Sequence, residues 1–207
     1  YRETDMVLFQ STSSTTSTPH SEADGPMSGT DYMAHHNLRG SACGYVFRKA
    51  ILHDLRFREG TLHEDEEFTP QLMLRAENVY STEGKAYHYR VRKDSITHKT
   101  DKRWRMRRLM DAEQVIYRLK NKADHLPVSE RIAMERRIAQ LTMDYIYNVI
   151  RMTHDATHLD RVLQRLTKHD LFPLPDKHYT KKYQCFRMLV NTAMGRRILM
   201  LALRVKG

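Results

Sequence analysis

A chain of 207 residues with Lys+Arg 35 against Asp+Glu 25 is long enough for one sizeable core or two small ones. Its formal charge of +10 favours anionic partners but says nothing of fold. Two cysteines, Cys43 and Cys185, are too few for a disulfide framework and point to a reducing, cytosolic setting. The longest purely apolar run, Ile198 to Leu203, falls far short of the ~20 residues of a membrane span.

The first residues lack the basic-then-apolar order of a signal peptide. Asp5-Met6-Val7-Leu8-Phe9 already reads as a buried strand, so the chain is expected to begin inside a domain. That strand is predicted over Thr4 to Phe9. Ser11 to Ser17, almost entirely Ser and Thr, continue through Pro19, Gly25, Pro26 and Gly29 as a loop. Tyr45 to Leu55 reads as a strand or turn running into a short helix. Phe68, Leu72 and Ala76 recur at four-residue steps and predict a helix over Glu66 to Ala76, with Thr61 as a candidate N-cap. Val79–Thr82 and Ala86–Val91 read as two short strands joined at Glu83-Gly84.

Beyond about residue 100 the pattern becomes helical. Leu109, Ala112, Ile116 and Leu119 mark one helix, and Met134, Ile138, Leu141, Tyr145, Val149 and Met152 a second, divided from the first by His125-Leu126-Pro127. Leu159, Val162, Leu163 and Leu166 mark a third, ended by Pro173 and Pro175, and a last helix is predicted from about Tyr183 to Val205. The charge follows the same division. Residues 1–100 hold 12 Lys+Arg against 14 Asp+Glu, and residues 101–207 hold 23 against 11.

The sharpest local feature is His63-Glu64-Asp65-Glu66-Glu67-Phe68. Four consecutive carboxylates repel one another. Such a run is either a solvated helix start, where the helix dipole favours anions, or a site.

Several segments in order bear on that choice. They are Tyr45-Val46-Phe47-Arg48-Lys49, Leu55-Arg56-Phe57-Arg58-Glu59-Gly60, Glu64-Asp65-Glu66-Glu67-Phe68, then Tyr87-His88-Tyr89-Arg90-Val91-Arg92 and Ser95-Ile96-Thr97. Together they resemble family 2 glycosyltransferases of the GT-A fold, and the strand carrying Asp5 looks like the one after the metal-binding motif of those enzymes. The resemblance covers residues 1–100. It implies an α/β fold, a partial GT-A-like domain with a truncated sheet and helices, over 1–100; the helical periodicity and charge beyond it predict a basic α-helical extension over 101–207.

The implied reaction moves a sugar from a nucleoside-diphosphate donor to an acceptor hydroxyl, usually with inversion. A carboxylate within reach of that hydroxyl is the natural base. By the resemblance Asp65 is that base and Glu64 supports or orients it, while Glu66 and Glu67 are left as helix N-terminal charge. Arg90 and Arg92 share one face of a strand and suit a pyrophosphate, with Ser95 beside them, or else they pair with nearby carboxylates. Tyr87 and Tyr89 take the opposite alternation and are expected in the core.

The sequence departs from the family where Cys43-Gly44-Tyr45 stand in place of a tryptophan and a lysine of many relatives. It also holds no Asp-x-Asp pair. The divalent cation, Mg or Mn, is therefore expected in the intact enzyme and not on these residues alone. The expected partners are a nucleotide-sugar donor and a glycan or lipid-linked acceptor, in bacterial surface polysaccharide or glycolipid assembly. The expected location is cytoplasmic, peripheral on the inner face of the membrane.

No Cys or His pair has a structural-zinc spacing, and a single Trp104 among Arg103, Arg105, Arg107 and Arg108 argues against a stacking platform for nucleic acid. The final helix, apolar through Leu189, Ala193, Ile198, Leu201 and Val205, either lies on an anionic membrane surface or packs on the other helices. The rival to the enzyme is a non-enzymatic helical module that binds nucleic acid or a protein through its basic half.

Overall fold

The computed structural model describes residues 3–13, 22–90 and 101–203. β1 (Met6–Thr12), β2 (Ala23–Met27), β3 (Tyr45–Phe47) and β4 (Val79–His88) form one mixed sheet in the order β2–β4–β1–β3. β1 and β4 run parallel at its centre, and β2 and β3 flank them antiparallel. β1 forms because its side chains alternate, with Met6 and Leu8 buried and Val7 and Phe9 half-exposed.

Seven α-helices accompany the sheet among the described residues. They are α1 (Gly29–His35), α2 (Glu64–Met73), α3 (Lys102–Ala123), α4 (Val128–Thr153), α5 (Ala156–Lys168), α6 (Lys181–Val190) and α7 (Ala193–Ala202). Short 3-10 turns occupy Ala42–Gly44 and Lys49–Leu52. No helix among the described residues is long and apolar enough to cross a membrane. The expected α/β class is present as this mixed sheet with helices.

Five local expectations are corrected. The stretch read as loop through Gly29 contains β2 and the start of α1, whose N-cap is Ser28: its hydroxyl accepts from the Asp31 amide at 3.0 Å. The two strands expected around Glu83-Gly84 are one strand with a bulge. Between Leu8↔Ser81 and Gln10↔Lys85, β1 advances two residues while β4 advances four, and the Gly84 amide donates to the Thr82 hydroxyl at 3.2 Å. Tyr87 and Tyr89 are 39% and 43% exposed, because β4 runs outward beyond its buried first residue, Val79.

Thr61 does not cap α2. The N-cap is His63 in the left-handed region at φ 65, and it offers no side-chain hydrogen bond. Support comes instead from α3, where Asp111 accepts from the Leu62 amide at 3.0 Å and Arg107 donates to the Gly60 carbonyl at 2.8 Å.

The last helix is two. Asn191 ends α6 and holds the chain after α5 through both its amide groups, accepting from the Leu174 amide at 3.0 Å and donating to the Leu174 carbonyl at 2.9 Å. Thr192 then caps α7 by accepting from the Gly195 amide at 3.1 Å. The apolar side expected along one continuous helix is therefore divided between two.

A single buried cluster runs through both halves of the chain. It joins Met6, Leu72 and Val79 to Ile116, Met134 and Ile146. Polar bolts cross the same boundary. Arg136 donates to the Ala34 carbonyl at 2.9 Å and Gln140 to the Asn37 side chain at 2.6 Å, tying α4 to the end of α1. The first of these satisfies a carbonyl that the end of α1 leaves without a partner.

Candidate active site

Helical spacing sends the four carboxylates of α2 in different directions, about 100° apart, and the structure gives each a different neighbourhood. Glu67 is buried and clamped: Arg118 of α3 donates to it at 2.9 and 2.7 Å, and Arg58 reaches it at 3.3 Å. Glu66 pairs with Arg137 of α4, whose guanidinium also donates to the Leu38 carbonyl at 2.6 Å. These two residues, read from sequence as helix N-terminal charge, are the contacts that dock α2 against α3 and α4. Glu64 borders a hollow with Arg56, Arg58 and Gln71, and makes no ion pair among the described residues.

Asp65 differs from the other three in its ionisation. It is half-buried and no cation pairs with it among the described residues. Its Oδ1 accepts from the Glu66 amide at 2.9 Å. Burial, and then the charges of Glu66 and Glu64, push its carboxyl up to about 6.

Next to Asp65 lies a groove of about 570 Å³. Its walls come from the second half of β1 (Leu8 to Ser11), from Ser81 to Glu83 of β4, from Tyr89, and from the segment between α1 and β3. Tyr32 and His36 stack in its wall with ring centroids 4.8 Å apart, and Arg39 donates to Gln10 across it.

Tyr45 closes one end of the groove. Its hydroxyl lies 3.0 Å from that of Thr69 on α2, which donates to the Gly40 carbonyl at 2.6 Å. Burial raises the Tyr45 phenol, and the nearby Asp65 charge raises it further. Asp65 does not itself line the groove. It stands one helical turn before Thr69, and its charge reaches the tyrosine that does.

The other expected site residues are placed as follows. Arg90 is exposed just past β4, next to Tyr89 of the groove, and pairs with no carboxylate among the described residues. Arg92 and Ser95 lie outside the described residues. Asp5 accepts from the amides of Glu77 and Asn78, at 2.9 and 3.0 Å, and so closes the turn before β4. Thr69 and Tyr32 were not singled out from sequence, and Tyr45 was named there without a role of its own. They converge only through the sheet order and the packing of α2, and no spacing in the chain signals it.

A second, smaller cavity of about 230 Å³ sits between α3 and α4 below the first turn of α2. His63, Glu66, Arg108 and Asp144 stand at its polar end, over Ile116 and Leu141. Burial lowers the His63 pKa and raises that of Asp144.

Several arginines of the basic half are held by carboxylates. Besides Arg118 and Arg137, Arg165 holds the buried Glu113 at 2.8 and 2.9 Å, and Arg187 pairs with Asp176 at 2.7 Å. Trp104 is half-buried, with Arg107 5.9 Å from the ring centre. Comparison with protein-family models, curated proteins and solved structures finds no match.

Proposed function

We propose that this chain is the acceptor side of a GT-A-type glycosyltransferase, which moves a sugar from a nucleoside-diphosphate donor to an acceptor hydroxyl with inversion. One observation carries the reading. Of the four adjacent carboxylates, Asp65 combines the lack of a cation partner with a carboxyl raised to about 6, next to the tyrosine that closes the groove. A base poised near neutral pH holds little proton in the cell yet accepts one readily.

In the step so assigned, the acceptor oxygen forms a bond to the anomeric carbon from the face opposite the leaving group. Its proton passes to the Asp65 carboxylate, which lies outside the groove lining beside Tyr45 and which this reading requires to come within reach of the acceptor hydroxyl, and the bond from that carbon to the nucleoside diphosphate breaks. Glu64 contributes by raising the Asp65 pKa. The stacked Tyr32 and His36 and the phenol of Tyr89 give the groove flat faces and hydrogen-bonding edges that suit a sugar acceptor. Arg90, next to Tyr89, is the described candidate for meeting donor phosphate.

The divalent cation belongs to the intact enzyme in this reading. Among the described residues no group of three or more His, Cys, Asp and Glu is arranged to hold a metal, so these residues do not fit the ion and no step here runs through it. The pairing of Arg118 with Glu67 and of Arg137 with Glu66 favours the transferase over a nucleic-acid module, because it takes these two cations off any phosphate-binding stripe. The reading places the enzyme in the cytoplasm at the inner membrane face, in surface polysaccharide or glycolipid assembly.

Turnover of the intact enzyme tests it. Asp65→Asn keeps the shape of the side chain but cannot take the proton, and should lower kcat by roughly 10²–10⁴-fold with donor binding little changed. Near-normal turnover in Asp65→Asn would remove the assignment. Loss in Glu64→Gln alone would move the base by one residue.

A further inference from the structure

Splitting the last helix in two leaves a face that the other described residues do not cover. In α7, Gly195 and Leu199 turn inward and are buried, while Met194, Ile198 and Leu201 are 76%, 48% and 76% exposed. Their spacing of four and three residues puts them on one side of the helix, and Arg197 falls on that same side. Met188 of α6 is 64% exposed close by in sequence. A soluble helix ordinarily turns such a stripe into its core.

The charge of this region is one-sided. From residue 177 to the end the sequence holds eight lysines and arginines and no aspartate or glutamate. Arg187 and Lys182 are paired with Asp176 and Asp144 of earlier segments, but Arg197 is exposed and has no ion pair among the described residues. Three or four apolar side chains offer less area than the ~800 Å² per partner of a stable protein interface. An apolar stripe with a cation set into it matches a lipid surface, where the hydrocarbon takes the stripe and anionic headgroups meet the guanidinium.

We propose that the exposed face of α7 docks this protein on an anionic membrane surface without crossing it. This does not depend on the transferase reading. Deletion of residues 183–207 is a poor test, because Tyr183, Phe186, Val190 and Leu199 belong to the core. Surface substitutions in the full chain keep the fold intact.

Co-sedimentation with phosphatidylcholine vesicles, with and without phosphatidylglycerol, reads the binding. Binding is expected only with phosphatidylglycerol and should weaken as salt is raised. The triple variant Met194→Ser, Ile198→Ser, Leu201→Ser should abolish it while its melting curve matches that of the parent. Arg197→Gln should weaken it about fivefold. Equal binding to neutral and anionic vesicles, no binding to either, or unchanged binding by the triple variant each overturns the proposal. A dimer in solution that the triple variant dissociates also overturns it, because a second copy would then be what covers the face.

Discussion

At the scale of single residues, Asp65 and Glu67 show how one acidic run divides into opposite roles. The Asp65 carboxyl is raised in the fold, so between its ordinary range and about 6 the folded chain holds a proton that the unfolded chain has lost. This makes the contribution of Asp65 to stability most favourable below that window and steadily less so as pH rises through it. Asp65→Asn should therefore raise stability at about pH 8, by about 1 kcal/mol once screening of a half-buried group is allowed for, and change little at about pH 4. Urea melts at the two pH values check this, and a variant less stable at the higher pH would contradict it. In the intact enzyme the same ionisation should make kcat/KM fall as pH drops below about 6.

Glu67 should behave in the opposite way. Glu67→Ala leaves Arg118 without its buried partner and should cost about 3 kcal/mol in urea unfolding, whereas Glu64→Gln should stay within about 0.5 kcal/mol. The acidic run was legible in the sequence as a feature. Which carboxylate is clamped and which is free was not, because Arg118 and Arg137 lie 51 and 71 residues away along the chain.

At the scale of elements, the long amphipathic helices α3, α4 and α5 were legible because their apolar residues repeat at three- and four-residue steps over many turns. The elements that failed were short or interrupted. Nothing local distinguishes a bulge at Glu83-Gly84 from a hairpin turn, since both favour glycine.

The break between α6 and α7 depends on a close approach. A Cβ at Gly195 would lie 2.1 Å from the Leu189 carbonyl oxygen, a backbone atom that cannot move without shifting α6. Gly195→Ala gains about 1 kcal/mol of helix propensity, but overpacking against backbone costs about 1–3 kcal/mol, and here the contact is at its worst. The expected result is a net loss of about 1–2 kcal/mol in thermal or urea melts. A more stable Gly195→Ala would show that the two helices are not locked at this point.

At the scale of the whole molecule, the change of composition near residue 100 marks a change of structural type, while the buried cluster runs on through it. Arg118–Glu67, Arg137–Glu66 and Arg136–Ala34 join the sheet-bearing part to the helical part. Unfolding is expected as one transition. Fluorescence of the single tryptophan, Trp104, and far-UV circular dichroism should give coincident urea curves. Two separated transitions would mean that the parts hold together on their own.

The sequence by itself determined the helical second half, the strand at Met6 to Phe9, the helix behind the acidic run and the excess of positive charge. Each of these is written in neighbouring residues through periodicity or composition. Only the tertiary structure decided that Glu66 and Glu67 are bolts, that Asp65 remains without a cation next to Tyr45, and that Met194, Ile198 and Leu201 face outward. These depend on which side chain from a distant segment arrives within a few ångströms, and the packing of the common core sets that.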